Sequence, residues 1–154
     1  MRSGVRLGVD VGTTRIGVAR SDLHGMLALP VETVARGTGD IATILAHAAE
    51  LEVTEIVVGL PIALSGNDTA STADARAFAL ALALAAPAID VRLVDERLST
   101  VSAHQALRGA GRTAKNSRSI VDQVAAVIIL QHALDHERSS GRAPGTVVTP
   151  DEGM

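Results

Sequence analysis

The pattern of apolar and polar residues at the start of the chain predicts a β-hairpin. From Val5 to Val11 apolar side chains alternate with polar ones or glycine, so Asp10 faces away from the apolar set. Residues 12–14 interrupt the alternation, which resumes at Ile16. A carboxylate at the end of an apolar strand is costly to bury unless something binds it. The hairpin therefore indicates metal or phosphate chemistry.

Further along, apolar periodicity predicts helices and strands in alternation. The predicted elements are a third strand at Met26–Val34, with Pro30 marking an edge; a helix at Asp40–Glu50; a buried strand at Glu55–Val58; a helix after the polar loop Ser65–Thr72, ending near Ala86; a strand at Ile89–Val94; a short helix from Ser99 or Thr100 to Leu107; and a last helix at Ser119–Glu137. An antiparallel opening meander followed by β-α-β units predicts a mixed five-stranded sheet with helices on both faces. This is the architecture of the ribonuclease H-like fold.

Composition narrows the class of protein. The 154 residues fit one domain, predicted at residues 1–138, with a Ser/Gly/Pro-rich tail at residues 139–154 predicted to be disordered. No apolar run is long enough for a membrane span, and no signal segment precedes the first strand. The absence of cysteine excludes disulfides and thiol catalysis. We expect a cytoplasmic protein without membrane partners.

The charge distribution indicates a polyanion partner, although the net charge is −3. Six basic residues and only two acidic ones lie between Arg92 and Arg118. Phe78 is the only aromatic residue, so base stacking cannot drive recognition. Binding of nucleic acid would work through phosphates and shape, and a solvated basic face is the alternative interpretation.

Three carboxylates fall at places where this fold would bring them together. Asp10 and Glu96 lie at or just past the carboxyl ends of strands, where ligands bind in open α/β sheets. Asp122 lies on the apolar, alanine-rich face of the last helix. Close packing of that helix over Gly8 would carry Asp122 towards Asp10. Phosphodiester cleavage with two metal ions needs such converging carboxylates, and Mg²⁺ prefers their oxygens.

Each acid also has a purely structural interpretation. Asp10 could cap the turn that follows it, and Glu96 could form a surface ion pair with Arg97. Ser119 and Asp122 fit a capping box in the first turn of a helix. Asp95 is an alternative ligand to its neighbour Glu96, but on extended backbone it points the opposite way.

Four sequence blocks resemble one known family. They are LGVDVGTTRIGVARSD near the start, EIVVGLPIALSG from Glu55, VDERLSTVSA from Val94 and VDQVAAVIILQ from Val121. In this order the blocks resemble the YqgF/RuvX family of Holliday-junction-resolvase-like, pre-16S ribosomal RNA nucleases, over roughly Arg6 to Leu134. The family has a ribonuclease H-like fold.

The resemblance implies a divalent-metal-dependent nuclease that uses Mg²⁺ or Mn²⁺. It assigns catalysis and metal binding to Asp10, Glu96 and Asp122. It assigns contact with the nucleic-acid backbone to six basic residues: Arg15, Arg97, Arg108, Arg112, Lys115 and Arg118. The position three residues after Asp122 holds Ala125, where resolvase relatives carry a fourth acid. We expect a monomer or a homodimer.

Three functions fit this resemblance to different degrees. Processing of the 5′ end of pre-16S rRNA is the first, and resolution of Holliday junctions in branched DNA is the alternative. A non-catalytic nucleic-acid-binding protein is the third, but three acids facing a polyanion disfavour it. The block from Asp10 to Thr14 also resembles the phosphate motif of sugar-kinase and actin-like ATPases, which need a second domain and a second such motif.

Overall fold

A single mixed sheet organises the molecule. The computed structural model describes residues 2–63, 65–96 and 114–149, and for residues 114–120 it describes the backbone alone. Within these ranges the strands are β1 Arg6–Val11, β2 Arg15–Ser21, β3 Ala28–Ala35, β4 Glu55–Leu60, β5 Asp90–Asp95 and β6 Thr146–Val147. Their spatial order is β3-β2-β1-β4-β5-β6.

The pairing of the strands confirms the predicted topology. β1 to β3 form an antiparallel meander, and β1, β4 and β5 run parallel to one another. β3 lies at the sheet edge, as Pro30 predicts, because proline lacks the N–H that an interior strand would donate. β4 is buried along its whole length, as expected of a central parallel strand.

The C-terminal tail corrects the prediction of five strands. β6 pairs antiparallel with β5, and the N–H of Val148 donates to the carbonyl of Val91 at 2.8 Å. The open edge of β5 offers unpaired backbone groups, and the tail satisfies some of them. Within the segment predicted as a disordered tail, Ser139 and Ser140 complete the last helix and Thr146–Val147 forms β6.

Three helices cover the sheet in the described ranges: α1 Asp40–Glu50, α2 Ala70–Ala85 and α3 Ala114–Ser140. None of them combines the length and apolarity needed to cross a membrane. α3 is already helical at Ala114, so Ser119 lies inside the helix and the predicted capping box with Asp122 is wrong. The predicted short helix ending at Leu107 lies outside the described residues.

The two faces of the sheet bury two separate cores. On one face, alternate residues of β1 such as Leu7 and Val9 pack with residues of α1 and α2, among them Phe78. The other face of β1, which carries Gly8 and Asp10, is covered by α3. A β-carbon added at Gly8 would lie 2.8 Å from Cβ of Leu130 and 3.1 Å from the carbonyl oxygen of Ala126. The predicted close approach of the last helix over Gly8 is confirmed.

Ion pairs fix the far end of α3 to the start of the sheet. Glu137 accepts from Arg2 at 2.6 Å and from the buried Arg6 at 3.3 Å. Buried Glu55 pairs with Arg2 at 3.1 Å and with Arg92 at 2.8 Å. The hydrogen bond from Arg2 is the main reason that the pKa of Glu137 is lowered to about 2. α3 therefore runs antiparallel to β1, with Glu137 beside Arg6 and Asp122 at the other end.

Candidate active site

Asp10 lies between two glycines on the neighbouring strands. The antiparallel register pairs Asp10 with Gly17 of β2. On its other side the parallel register pairs Val9 with Val58, so Asp10 lies alongside Gly59 of β4. A glycine inside a strand marks a place where another group approaches the backbone closely. Here each glycine makes room for one of the other two acids.

Gly17 makes room for Asp122. A side chain at Gly17 would overlap the backbone carbonyl of Asp122 and would lie 3.1 Å from the N of Gln123. At this contact the backbone of α3 lies directly against β2, beside Asp10. The side chain of Asp122 is 17% exposed, so most of it is covered by protein.

Gly59 makes room for Glu96. A β-carbon added at Gly59 would lie 2.8 Å from Oε2 of Glu96 and 2.6 Å from Cδ1 of Ile129 on α3. Glu96 directly follows β5, while its neighbour Asp95 is exposed. The carboxylate of Glu96 thus lies on the α3 side of the sheet, the side that Asp10 also faces.

The three acids act on one another electrostatically. The pKa of Asp10 is raised to about 7, first because the surrounding protein removes water from the carboxylate, then because Glu96 and Asp122 repel its negative charge. A nearby cation would strongly stabilise the ionised form of a carboxylate in this environment. The structure therefore brings the three sequence-predicted acids into one electrostatic cluster, called the acid cluster below.

The acid cluster fits a divalent cation in its chemistry. Its donors are carboxylate oxygens, which Mg²⁺ and Mn²⁺ prefer, and its three side chains are acidic. Across residues 2–63, 65–96 and 114–149, no three Asp, Glu or His side chains stand close enough to hold one ion as they are. One oxygen of Asp122 is instead engaged by an arginine.

That arginine is Arg15, the first residue of β2. Its Nε donates to Oδ2 of Asp122 at 2.8 Å, and 38% of its side chain is exposed. Of the other basic residues predicted to contact nucleic acid, Arg97, Arg108 and Arg112 lie outside the described residues. Lys115 and Arg118 lie in the first turns of α3, where only the backbone is described.

The turn after Asp10 is anchored by Arg36, a residue that no sequence pattern singled out. Its Nη1 donates to the carbonyl of Gly12 at 2.8 Å and also to Asp74 of α2 at 2.8 Å. Its guanidinium lies 5.2 Å from the centre of the Phe78 ring. Arg36 thus connects the hairpin turn to α2 and holds the end of β1 that carries Asp10.

The chain matches a known protein family over most of its length. The family model "RuvX: Holliday junction resolvase" matches residues 4–136. A protein of Leifsonia xyli subsp. xyli named "Putative pre-16S rRNA nuclease" is 65% identical over 153 residues, which cover 97% of both chains. A Streptomyces coelicolor protein of the same name is 51% identical and covers 94% of this chain and 88% of its own.

The fold is shared with a solved resolvase structure. "T. thermophilus RuvC in complex with Holliday junction substrate" superposes with a TM-score of 0.57 at 17% identity, covering 94% of this chain and 99% of that one. This similarity confirms the predicted ribonuclease H-like fold. The family match spans most of the chain, and the relatives align over nearly their whole lengths. The chain therefore belongs to the RuvX family of nucleases.

Proposed function

We propose that this protein is a divalent-metal-dependent nuclease that processes the 5′ end of pre-16S rRNA in the cytoplasm. The observation that carries the proposal is the packing around Asp10, where Gly17 admits the backbone of Asp122 and Gly59 admits the carboxylate of Glu96. The raised pKa of Asp10, about 7, agrees with this arrangement. Three acids would repel the phosphates of a nucleic acid, so they would not strengthen binding in a site that only binds. Acids held together in this way favour a cation that is needed for chemistry.

Asp10, Glu96 and Asp122 would hold Mg²⁺ or Mn²⁺. When bound, such ions activate water and offset the charge that develops on phosphoryl oxygens. The protein supplies the positions of the acids: Gly17 and Gly59 set how closely Asp122 and Glu96 approach Asp10. Because a proton competes with a metal ion for Asp10, metal affinity falls as the pH drops below about 7.

Basic residues would bind the phosphate backbone. Arg15 stands beside the acid cluster with an exposed side chain. The others form the basic segment, defined as Arg97, Arg108, Arg112, Lys115 and Arg118. Arginine is suited to this role because its planar guanidinium donates two parallel hydrogen bonds to a phosphate. The names of the relatives support rRNA as the substrate.

Resolution of branched DNA is the second candidate function, favoured by the description of the family model as a Holliday junction resolvase. Ala125 stands where resolvase relatives carry a fourth acid, which leaves fewer carboxylates for a second metal ion. Cleavage of both strands of a junction also needs two active sites, so the junction function requires a homodimer. A monomer suffices for an RNA precursor.

A cleavage panel tests the two functions directly. The purified protein is incubated with Mg²⁺ or Mn²⁺ and one of three substrates: a pre-16S rRNA 5′ fragment, an unrelated single-stranded RNA, or a four-way DNA junction. We expect metal-dependent cleavage of the rRNA fragment and none by Asp10→Asn. Symmetrical cuts in the junction alone would favour the resolvase. Equal activity of Asp10→Asn would show that the site is wrong.

A further inference from the structure

Arg15 and Asp122 form an ion pair across the edge of the acid cluster. Nε of Arg15 lies 2.8 Å from Oδ2 of Asp122, so one of the two carboxylate oxygens is engaged by a cation that belongs to the protein. Asp10 lies near enough to both Glu96 and Asp122 that their charges raise its pKa. Arg15 therefore supplies positive charge at a place where a metal ion would also bind.

The two partners of this pair differ in their freedom to move. The backbone of Asp122 is pressed against Gly17, and its side chain is mostly covered. The backbone of Arg15 is fixed by strand pairing with Ala35 and by its carbonyl, which accepts from the N–H of Gly12 at 2.9 Å. Its side chain is 38% exposed, so its guanidinium can reach solvent while the backbone stays paired. Separation of the pair requires movement of the Arg15 side chain alone.

We infer that Arg15 is a counter-ion that a divalent cation displaces from Asp122, and that the released guanidinium then binds a phosphate of the nucleic acid. The inference rests on the proposed nuclease function. In the metal-free protein Arg15 offsets part of the repulsion within the acid cluster. When the cation takes over the oxygens of Asp122, Arg15 becomes available at the mouth of the site, where a phosphate is its natural partner.

This exchange couples the two ligands of the protein. A metal ion must compete with Arg15, so its affinity is lower than the acids alone would give. Nucleic acid binds better once the metal has released Arg15, and by reciprocity bound nucleic acid strengthens metal binding. Removal of Arg15 should therefore tighten metal binding and weaken the coupling at the same time.

The first test measures metal binding without nucleic acid. Mn²⁺ is titrated calorimetrically into the wild-type protein, Arg15→Gln and Arg20→Gln at pH 8. Arg20 is the matched control because it lies on the same strand and donates to the carbonyl of Ser21, at 3.4 Å.

We expect Arg15→Gln to bind Mn²⁺ about fivefold more tightly or better, and Arg20→Gln to match the wild type. Equal or weaker binding by Arg15→Gln would overturn the inference. Arg15→Lys serves in its place if Arg15→Gln does not fold, and it should tighten binding less.

The second test measures the coupling itself. Affinity for a fluorescein-labelled RNA hairpin is measured in EDTA and in Ca²⁺, with the RNA checked by gel to remain intact. We expect Ca²⁺ to strengthen binding by the wild type at least about threefold more than binding by Arg15→Gln. The same enhancement in both proteins would overturn the inference. A wild type that binds Mn²⁺ and cleaves RNA while failing these tests leaves the proposed function intact, whereas a wild type that does neither contradicts that function.

Discussion

The carbonyl oxygen of Asp122 lies against the α-carbon of Gly17, in space that the side chain of any larger residue would occupy. Gly17 is also the cross-strand partner of Asp10. A contact between a helix backbone and a strand backbone thus determines how far apart two acids of the site are. Both side chains project from rigid elements, which suits a site whose geometry must be held closely.

Gly17→Ala should displace the start of α3 from the sheet. We expect the free energy of unfolding to fall by about 1–3 kcal/mol, because the added methyl group meets backbone rather than a flexible side chain. Cleavage should fall roughly tenfold to a hundredfold, since the displacement moves Asp122. Chemical denaturation and single-turnover cleavage measure the two effects.

Gly8→Ala is the matched control for this variant. It also overpacks the contact between β1 and α3, but against Ala126 and Leu130, which lie about one and two turns of α3 after Asp122. It should lose a similar amount of stability and much less activity. A loss of activity as large as that of Gly17→Ala would contradict the specific role of Gly17.

Asp10→Asn should stabilise the metal-free protein at alkaline pH. The folded state raises the pKa of Asp10 from its ordinary 3.8 to about 7, so the folded protein binds this proton more tightly than the unfolded chain does. Stability therefore falls as the pH rises from about 4 to 7, and an asparagine removes that loss. Urea unfolding in EDTA should show a gain on the order of 2–4 kcal/mol at pH 8 and almost none at pH 4. Asp90→Asn, at an exposed position on β5, is the control, and an equal gain at both pH values would contradict the expectation.

Glu137→Gln should destabilise the protein most at neutral pH. Loss of the carboxylate leaves the buried Arg6 without its ion pair, which costs about 3 kcal/mol. The folded pKa of Glu137 is about 2, below its ordinary 4.5, so its contribution is present above pH 4.5 and is lost as the pH falls towards 2. The difference between wild type and variant, measured by denaturation, should shrink between pH 7 and pH 3. Glu50→Gln, exposed on α1, should show no such difference.

Replacement of Arg112 and Lys115 by alanine should weaken binding to all nucleic-acid sequences alike. Each lost phosphate contact reduces the slope of log affinity against log salt by about 0.7–0.9. A salt titration of RNA binding measures this change. Arg142→Ala removes a charge at an exposed position after α3 and should leave the slope unchanged. An unaltered slope in the double variant would show that Arg112 and Lys115 do not contact phosphates.

Local patterns sufficed to predict the elements that carry the site. Alternation over Val5–Val11 predicted the strand and the face of Asp10, and the spacing of small residues after Asp122 predicted which side of α3 packs on Gly8. These features depend on neighbours along the chain. The roles proposed for the acids come from the family resemblance, because geometry alone does not assign them.

The contacts that Gly17, Arg15 and β6 make with distant residues could not be predicted in this way. Gly17 and Asp122 are neighbours only in the folded protein. No sequence feature near Gly17 therefore predicted that it makes room for Asp122. Glycines at interior strand positions were the available signal, at Gly17 as at Gly59. The ion pair between Arg15 and Asp122 could not be predicted for the same reason, because the two residues meet only in the folded protein. β6 was missed because so short a strand exists only through its partner, β5.

The short strand β6 also has a consequence for handling the protein. β5 ends next to Glu96, and β6 covers part of its outer edge. A chain cut after Ser140 would leave the backbone groups of β5 unpaired, and such an edge is a template for association with other chains. We expect a protein cut after Ser140 to aggregate before its cleavage activity changes. We therefore expect residues 141–149 to help keep the folded protein soluble by covering this edge.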